Sequence, residues 1–369
     1  MRQRLIPALW VLTAMICSAC ARQAAPVPEK EEVLRLMKAV ADHQIAHPTG
    51  HSSANRDFPM GWVPASFYTG VMALYESSGD EKYLQQALNW AESNAWQPGP
   101  RLRHADDHAC GQIYLELSAL VPEQADITAI RAVYDSLMAD PLPGRVDWWW
   151  CDALYMSPPT LARLAAVTGE KKYLNYMHDM FWDTVHFLFD REAGLMYRDE
   201  QYFYSRTASG QKVFWARGNG WTMAGIVRIL QYLPEKDKKR IWYENLLLSL
   251  SASIVPLQGD DGLWRASLLD AAEYPAPESS STGFISYALA WGVNQGLLDR
   301  DLYSPVIFRA WQGLVSAVHE DGMLGWVQPI GKSPDAVTFD DTQAYGAGAF
   351  VLAASEILKM IGPMEQDRK

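Results

Sequence analysis

Cysteine is nearly absent from this chain. Of 4 cysteines, Cys17 and Cys20 lie near the N-terminus, which leaves Cys110 and Cys151 for the body of the chain. Two thiols make neither a disulfide framework nor a cysteine metal cluster. A single 110–151 bridge is open to them in an oxidising compartment; two buried free thiols fit better. An excess of positive charge is lacking too. The formal net charge is -11, which excludes the basic stripe that nucleic acid needs. It does not exclude an anionic sugar, because one local arginine can serve that. Long apolar runs are missing beyond the N-terminal segment, so no transmembrane helix is expected in the mature chain.

The N-terminus reads as a targeting segment. Arg2 and Arg4 make a basic start, Leu5 to Ile16 an apolar core, and Cys17-Ser18-Ala19-Cys20 follows. A small residue before Cys20 resembles a bacterial lipobox and points to a lipid anchor at Cys20. Cleavage after Ala21 is the alternative. The expected organisation is a signal over 1–21, a tether over 22–29, one domain over 30–362 and a polar tail over 363–369. An exported protein, periplasmic or anchored at the outer membrane, is the matching location.

Tryptophan is abundant, at 15 residues. Indole faces stack on sugars, and they also pack cores well. The remaining pattern is helical nearly throughout. Glu31 to Ile45 carries Val33, Leu34, Met37 and Val40 at helical spacing. A polar loop with His51, Arg56 and Asp57 follows, then Phe67 to Glu76 and Glu81 to Ser93 as helices. The turn between these two reads GDEKYL, and GEKKYL recurs after Ala166, an internal echo. Looser copies give twelve helices in six pairs. One member of each pair is small-residue-rich and apolar all round, as in GWTMAGIV and AYGAGAFVLAA; such helices are buried. Six buried helices ringed by six amphipathic ones predict an all-α fold, an (α/α)6 barrel. An open solenoid would show a constant repeat period, and none is present.

In that barrel every buried helix starts at the same pole. Tyr68, His104 to His108, Asp152, Trp215 to Trp221, Glu278 to Thr282 and Asp340 to Thr342 before Tyr345 all fall near those starts. Helix N-termini there favour an anion. Asp152 follows three tryptophans, Trp148 to Trp150. It is either an N-cap or a desolvated carboxyl that keeps its proton and acts as a general acid. The convergence favours the acid. Asp107 is the second candidate, since paired carboxyls beside aromatic platforms suit glycoside cleavage; a solvated loop or a cap is the plain reading of Asp106 and Asp107. His104 and His108 offer no helical ligand pair, so no metal and no cofactor is expected. Arg217, between Trp215 and Trp221, can grip a carboxylate while indoles cover a sugar face. A structural arginine in a glycine turn is the alternative.

WARGNGW, DALYMSPPTLARLA, ADDHACGQIYLEL, ESSSTGFISYALAWGV and AYGAGAFVLAASEI resemble glycoside hydrolase family 105, the unsaturated rhamnogalacturonyl hydrolases, related to the family 88 unsaturated glucuronyl hydrolases. The resemblance runs from about Phe67 to Met360. It implies an (α/α)6 barrel and release of a 4,5-unsaturated uronic acid from lyase-generated oligosaccharides, with unsaturated galacturonyl-rhamnose as the default. An aspartic acid protonates C4 of the enol ether, water adds at C5, and the hemiketal falls apart. The resemblance implies Asp152 as acid/base and Asp107 as the second aspartate. Arg217, Trp215 and Trp221 become the sugar-binding set, with His108, Tyr68 and Tyr345 beside them. Many members carry His shortly after a Gly-Leu-x-Tyr run; here Gly194-Leu195-Met196-Tyr197 leads into Arg198 and Asp199. Arg198 meets either a second carboxylate or sulfate, or a surface partner. Two rival readings remain: a conventional glycosidase on saturated substrates, indifferent to the double bond, and a glycan-binding lipoprotein without turnover.

Overall fold

The computed structural model describes residues 25–48, 59–143 and 145–362. The expectations for the signal, the lipid anchor at Cys20, the polar tail and the loop carrying His51, Arg56 and Asp57 lie outside the described residues.

Among the described residues, twelve long α-helices and one short one form the body. They are α1 (Lys30–Ala46), α2 (Trp62–Ser78), α3 (Glu81–Ser93), α4 (Gly111–Leu120), α5 (Thr128–Ala139), α6 (Ala153–Met156), α7 (Pro158–Thr168), α8 (Lys171–Leu188), α9 (Ala216–Leu230), α10 (Arg240–Ile254), α11 (Ser279–Asn294), α12 (Arg300–Ser316) and α13 (Ala344–Ile361). The pair Pro158-Pro159 divides one expected helix into α6 and α7. Proline is tolerated in a first turn but not in a helix interior. A short hairpin, β1 (Phe189–Asp190) against β2 (Leu195–Met196), follows α8.

The echoed turns have the same physical form. α2 ends on Gly79 at φ 64° and α7 on Gly169 at φ 73°, the left-handed stop that glycine adopts without penalty. Asp80 then caps α3 by accepting from the Lys82 amide. Each turn folds an apolar helix back against an amphipathic one.

The inner helices close a ring. α2 packs on α4, α4 on α7, α6 and α7 on α9, α9 on α11, α11 on α13, and α13 again on α2. Outside it, α1 covers α13 and α2, α3 covers α2 and α4, α8 covers α7, α10 covers α9, and α12 covers α11 and α13. α5 docks through Tyr134, whose hydroxyl lies 2.9 Å from Ser157 Oγ. This is the barrel that the alternation of buried and amphipathic helices predicts. α13 is apolar and long enough to cross a membrane, contrary to the sequence expectation, but 89% of it is buried inside the ring.

Closure needs close backbone approach. A Cβ at Gly348 of α13 would stand 2.3 Å from the Ser66 carbonyl oxygen of α2. One at Gly225 of α9 would stand 2.3 Å from the Leu154 carbonyl oxygen of α6. Cys110 and Cys151 are buried free thiols. Gly348→Ala is expected to lower stability by about 1–3 kcal/mol through overpacking, read as a drop in the thermal unfolding midpoint. An unchanged midpoint would show that the ring has slack at this contact.

Candidate active site

At the pole where the inner helices begin, Asp152 occupies the last position before α6. Its backbone is helical, and its side chain caps nothing. The loop that carries it is pinned from outside, since the Cys151 amide donates to the Arg198 carbonyl at 2.8 Å. The Asp152 carboxyl is buried. Arg198 Nε lies 3.7 Å from its Oδ2, and the Cys151 thiol lies 3.4 Å from its Oδ1. Gly218 leaves the room for this arrangement. A Cβ there would sit 2.9 Å from the Cys151 sulfur and 3.6 Å from Asp152 Oδ1. Burial pushes the Asp152 pKa above the usual carboxylate range, against the pull of the Arg198 and Arg217 charges. A carboxyl so placed retains a proton where an ordinary aspartate has lost it.

The second carboxyl is not the one expected. Asp107 is buried and enclosed by the protein itself. Its Oδ2 accepts from the Arg101 amide at 2.7 Å, and the Arg101 guanidinium reaches Oδ1 from Nη2 at 2.5 Å. It therefore fastens the loop before α4 rather than facing the mouth. Its neighbour Asp106, on the same short turn, is the one that interacts electrostatically with Asp152. Burial and then the charge of Asp152 push the Asp106 pKa up to about 7. His104 Nδ1 stands 3.5 Å from Asp106 Oδ2, and its ring lies 4.8 Å from that of Trp150. Burial, then the Arg101 charge, holds the His104 pKa down at about 4. At neutral pH it is an uncharged imidazole. Of these two adjacent aspartates it is Asp107 that Arg101 holds, and Arg101 six residues earlier was the available signal for which one is bound.

The aromatic set is also rearranged. Arg217 is buried, 4.5 Å from the Trp215 ring and 4.9 Å from the Tyr345 ring. Its terminal nitrogens donate to the carbonyls of Gln328 at 2.6 Å and Pro329 at 2.9 Å. It holds a strap of backbone across the pole instead of presenting a fork to solvent. Trp215 donates from Nε1 to the Gln328 side chain at 3.0 Å, and the Tyr345 hydroxyl donates to the Gln328 carbonyl. Glu278 caps α11 and accepts from the Gln328 amide as well. Gln328 thus organises the strap, and nothing in its sequence context announces it. Trp221 is buried among Phe284, Tyr155 and Tyr345 and floors the site.

Two expected contacts fall elsewhere. Tyr68 lies within α2, stacked 4.4 Å from Trp90 of the outer helix α3, and its hydroxyl accepts from Gln86. The inner helix starts at Trp62, and it is Trp62 that stacks 5.2 Å from Tyr345 at the mouth. Gly61 before the helix and Pro64 in its first turn were the missed start signals. His108 is buried with both ring nitrogens occupied, by Ser157 Oγ at 3.1 Å and the Leu102 carbonyl at 2.9 Å, so it braces α4 against α7. Asp341 accepts from the Thr338 amide and closes a surface turn. Arg198 gains what these residues lose. Its Nη1 donates to the buried Asp199 at 2.6 Å, its guanidinium lies 5.0 Å from the half-exposed Trp149 ring, and its Nε has no hydrogen-bond partner.

A cavity of about 620 Å³ opens at the opposite pole, lined by the C-terminal halves of the inner helices. Its charged groups serve the fold. Glu116 is held by Arg163 at 2.6 Å and Arg228 at 2.7 Å, and Arg240 donates to the carbonyls of Leu230 and Leu233. Cations at helix C-termini satisfy free carbonyls in this way. The perturbed carboxyls lie at the other end. Among the described residues no group of three or more metal-ligating side chains occurs.

A family model described as Glycosyl Hydrolase Family 88 matches residues 36–361. The chain is 37% identical over 345 residues to an "Unsaturated 3S-rhamnoglycuronyl hydrolase" of Formosa agariphila, over 88% of this chain and 90% of that protein. It is 36% identical over 352 residues to a protein of the same name from Alteromonas sp. (strain LOR), over 88% of this chain and 85% of that one. A solved structure of a glycosyl hydrolase family 88 protein from Bacteroides vulgatus superposes with a TM-score of 0.82 at 31% identity, covering 90% of this chain and 100% of that chain.

The division of labour between the two neighbouring aspartates is open to direct test. Asp107→Asn is expected to lower stability by about 1–3 kcal/mol, because it removes a charge-assisted fork. Asp106→Asn is expected to leave stability at neutral pH unchanged or higher, since it replaces a carboxyl that ionises reluctantly there. Chemical denaturation of both variants checks this, and the reverse ranking would restore Asp107 as the active carboxyl.

Proposed function

The chain belongs to glycosyl hydrolase family 88, and we propose that it releases a 4,5-unsaturated uronic acid from the non-reducing end of lyase-generated oligosaccharides, with Asp152 as the proton donor. The observation that supports this reading is a buried carboxyl beside Arg198, its pKa raised by desolvation, at the pole where six inner helices begin. Asp152 delivers its proton to C4, and the π electrons of the enol ether form the new C–H bond. C5 becomes an oxocarbenium carbon. Water bonds to C5 and gives its proton to Asp106, whose pKa near 7 suits a group that must take a proton close to neutrality. The C5 hemiketal then opens, and the hemiacetal left at C1 expels the sugar alcohol. Trp62 and Tyr345 supply the aromatic wall.

The names of the two relatives favour a particular aglycone. We read "3S-rhamnoglycuronyl" as a uronyl group joined to rhamnose sulfated at O3, and we propose that class of disaccharide ahead of the pectin-type galacturonyl-rhamnose. The same reading places the enzyme outside the cytoplasm, held by lipid on Cys20 as the N-terminal pattern suggests. A Cys20→Ser chain that still partitions with membranes would count against that anchor.

The ultraviolet absorbance of the conjugated double bond follows the reaction. It is expected to disappear on unsaturated sulfated rhamnose disaccharides faster than on pectin-derived ones. Asp152→Asn is expected to lower turnover by a factor of about 10²–10⁴ or more with the fold intact. Activity on the wild-type enzyme should fall as pH rises through the raised pKa of Asp152, because the donor is then lost. A near-normal rate for Asp152→Asn would overturn the mechanism. Cleavage of saturated glycosides at an equal rate would favour a conventional glycosidase.

A further inference from the structure

We propose that Arg198, backed by Trp149 and Asp199, binds the C5 carboxylate of the unsaturated uronyl group and so sets the requirement for an acidic sugar. This rests on the reading of Asp152 as the donor to C4. In a 4,5-unsaturated uronate the carboxylate carbon is attached to C5, two bonds from C4. Whatever pose brings C4 within hydrogen-bond reach of Asp152, about 3 Å, also brings the carboxylate beside that side chain. The cation found there is Arg198, with Nε 3.7 Å from Asp152 Oδ2.

Three observations favour a ligand role over an internal ion pair. Nε has no hydrogen-bond partner, and its gap to Asp152 exceeds a hydrogen bond. The opposite edge of the guanidinium is fixed, by Nη1 on Asp199 at 2.6 Å and by the Trp149 ring at 5.0 Å. Asp199 is itself buried and anchored by the Gln201 amide at 2.9 Å. An arginine clamped through Nη1 whose Nε makes no hydrogen bond is pre-organised for a planar anion. Among the described residues, Arg101 is held on Asp107 and Arg103 on Asp140 and Asp147. Arg217 also leaves its Nε without a hydrogen bond, but both of its terminal nitrogens are on carbonyls. Arg198 is the cation with a nitrogen 3.7 Å from the Asp152 carboxyl. The sequence pattern pointed to Arg217 for the acidic sugar; we propose Arg198 in its place, because both terminal nitrogens of Arg217 are on carbonyls.

The arrangement also ties binding to chemistry. A carboxylate on Arg198 engages the nearest positive charge that opposes protonation of Asp152, so the bound substrate itself helps to keep the proton in place. The charged groups around that carboxyl are Arg198 and Asp199 on one side, Arg217 from α9, and Asp106 from the turn before α4, with the Cys151 thiol against Oδ1.

The test compares the unsaturated disaccharide with its C6 methyl ester, which keeps the double bond and removes the charge. Wild type is expected to prefer the acid, and Arg198→Gln to lose about 10- to 100-fold in kcat/KM on the acid, mainly through KM. The ester should be nearly unaffected, so the acid-to-ester ratio collapses. Because Arg198→Gln leaves Asp199 buried without its partner, the double variant Arg198→Gln/Asp199→Asn is measured beside it and should show the same collapse. An unchanged acid-to-ester ratio in the folded variants, with only the alkaline limb of the pH profile moved, would overturn the proposal and leave Arg198 as a tuner of Asp152. Absence of turnover on either substrate by wild type would instead remove the activity on which the proposal rests.

Discussion

Six helices close into a ring only where neighbouring backbones come nearly into contact, and the rest of this structure follows from that constraint. Gly348 against Ser66 and Gly225 against Leu154 leave no space for a Cβ. Such contacts fix the helices in register as well as in direction. Because each connection runs out along an outer helix and back, every inner helix begins at one end. The polar segments before those helices are then gathered there whatever their separation along the chain. The same constraint sends the C-termini to the other end, where Arg163 donates to the Arg228 carbonyl and Arg240 to the Leu230 carbonyl, and Glu116 balances Arg163 and Arg228. The large cavity at that end follows from the convergence of C-termini, and it has no perturbed acid of the kind found opposite.

At the active pole the electrostatics turn on which charges are already paired. Asp107 and Arg101 neutralise each other, and Arg217 is taken up by carbonyls. Asp152 and Asp106 act on each other through their charges, and Arg198, paired on one edge with Asp199, stands beside Asp152 on the other. Burial raises the pKa of both acids, and the nearby arginines limit how far that goes. A general acid needs that balance, since a carboxyl held too firmly neutral gives up no proton and a fully ionised one has none to give.

The amino-acid pattern carried the fold class because burial on all sides leaves a composition signature. GWTMAGIV and AYGAGAFVLAA have no polar face, and only an inner layer accepts such helices. The glycine stops after α2 and α7 were legible for a local reason, the left-handed backbone that glycine adopts freely. The motifs pointed to family 105 and its relation to family 88, and the matching family model is that of family 88. Residue roles were less legible. Trp62 was hidden behind an assumed start at Phe67. Asp106 and Asp107 are the same residue type side by side, and it is Asp107 that Arg101 holds.

The sequence by itself therefore determined the class of fold, the pole that carries the site and the family, because periodicity, helix boundaries and local motifs are written along the chain. The tertiary structure alone decided that Asp106 interacts electrostatically with Asp152, that Arg217 donates to the Gln328 and Pro329 carbonyls, and that Arg198 stands beside Asp152. The Arg101 that holds Asp107 stands only six residues away, but Arg217 finds its partner in a distant segment, at Gln328. Such pairing is a property of three-dimensional proximity that no local pattern encodes.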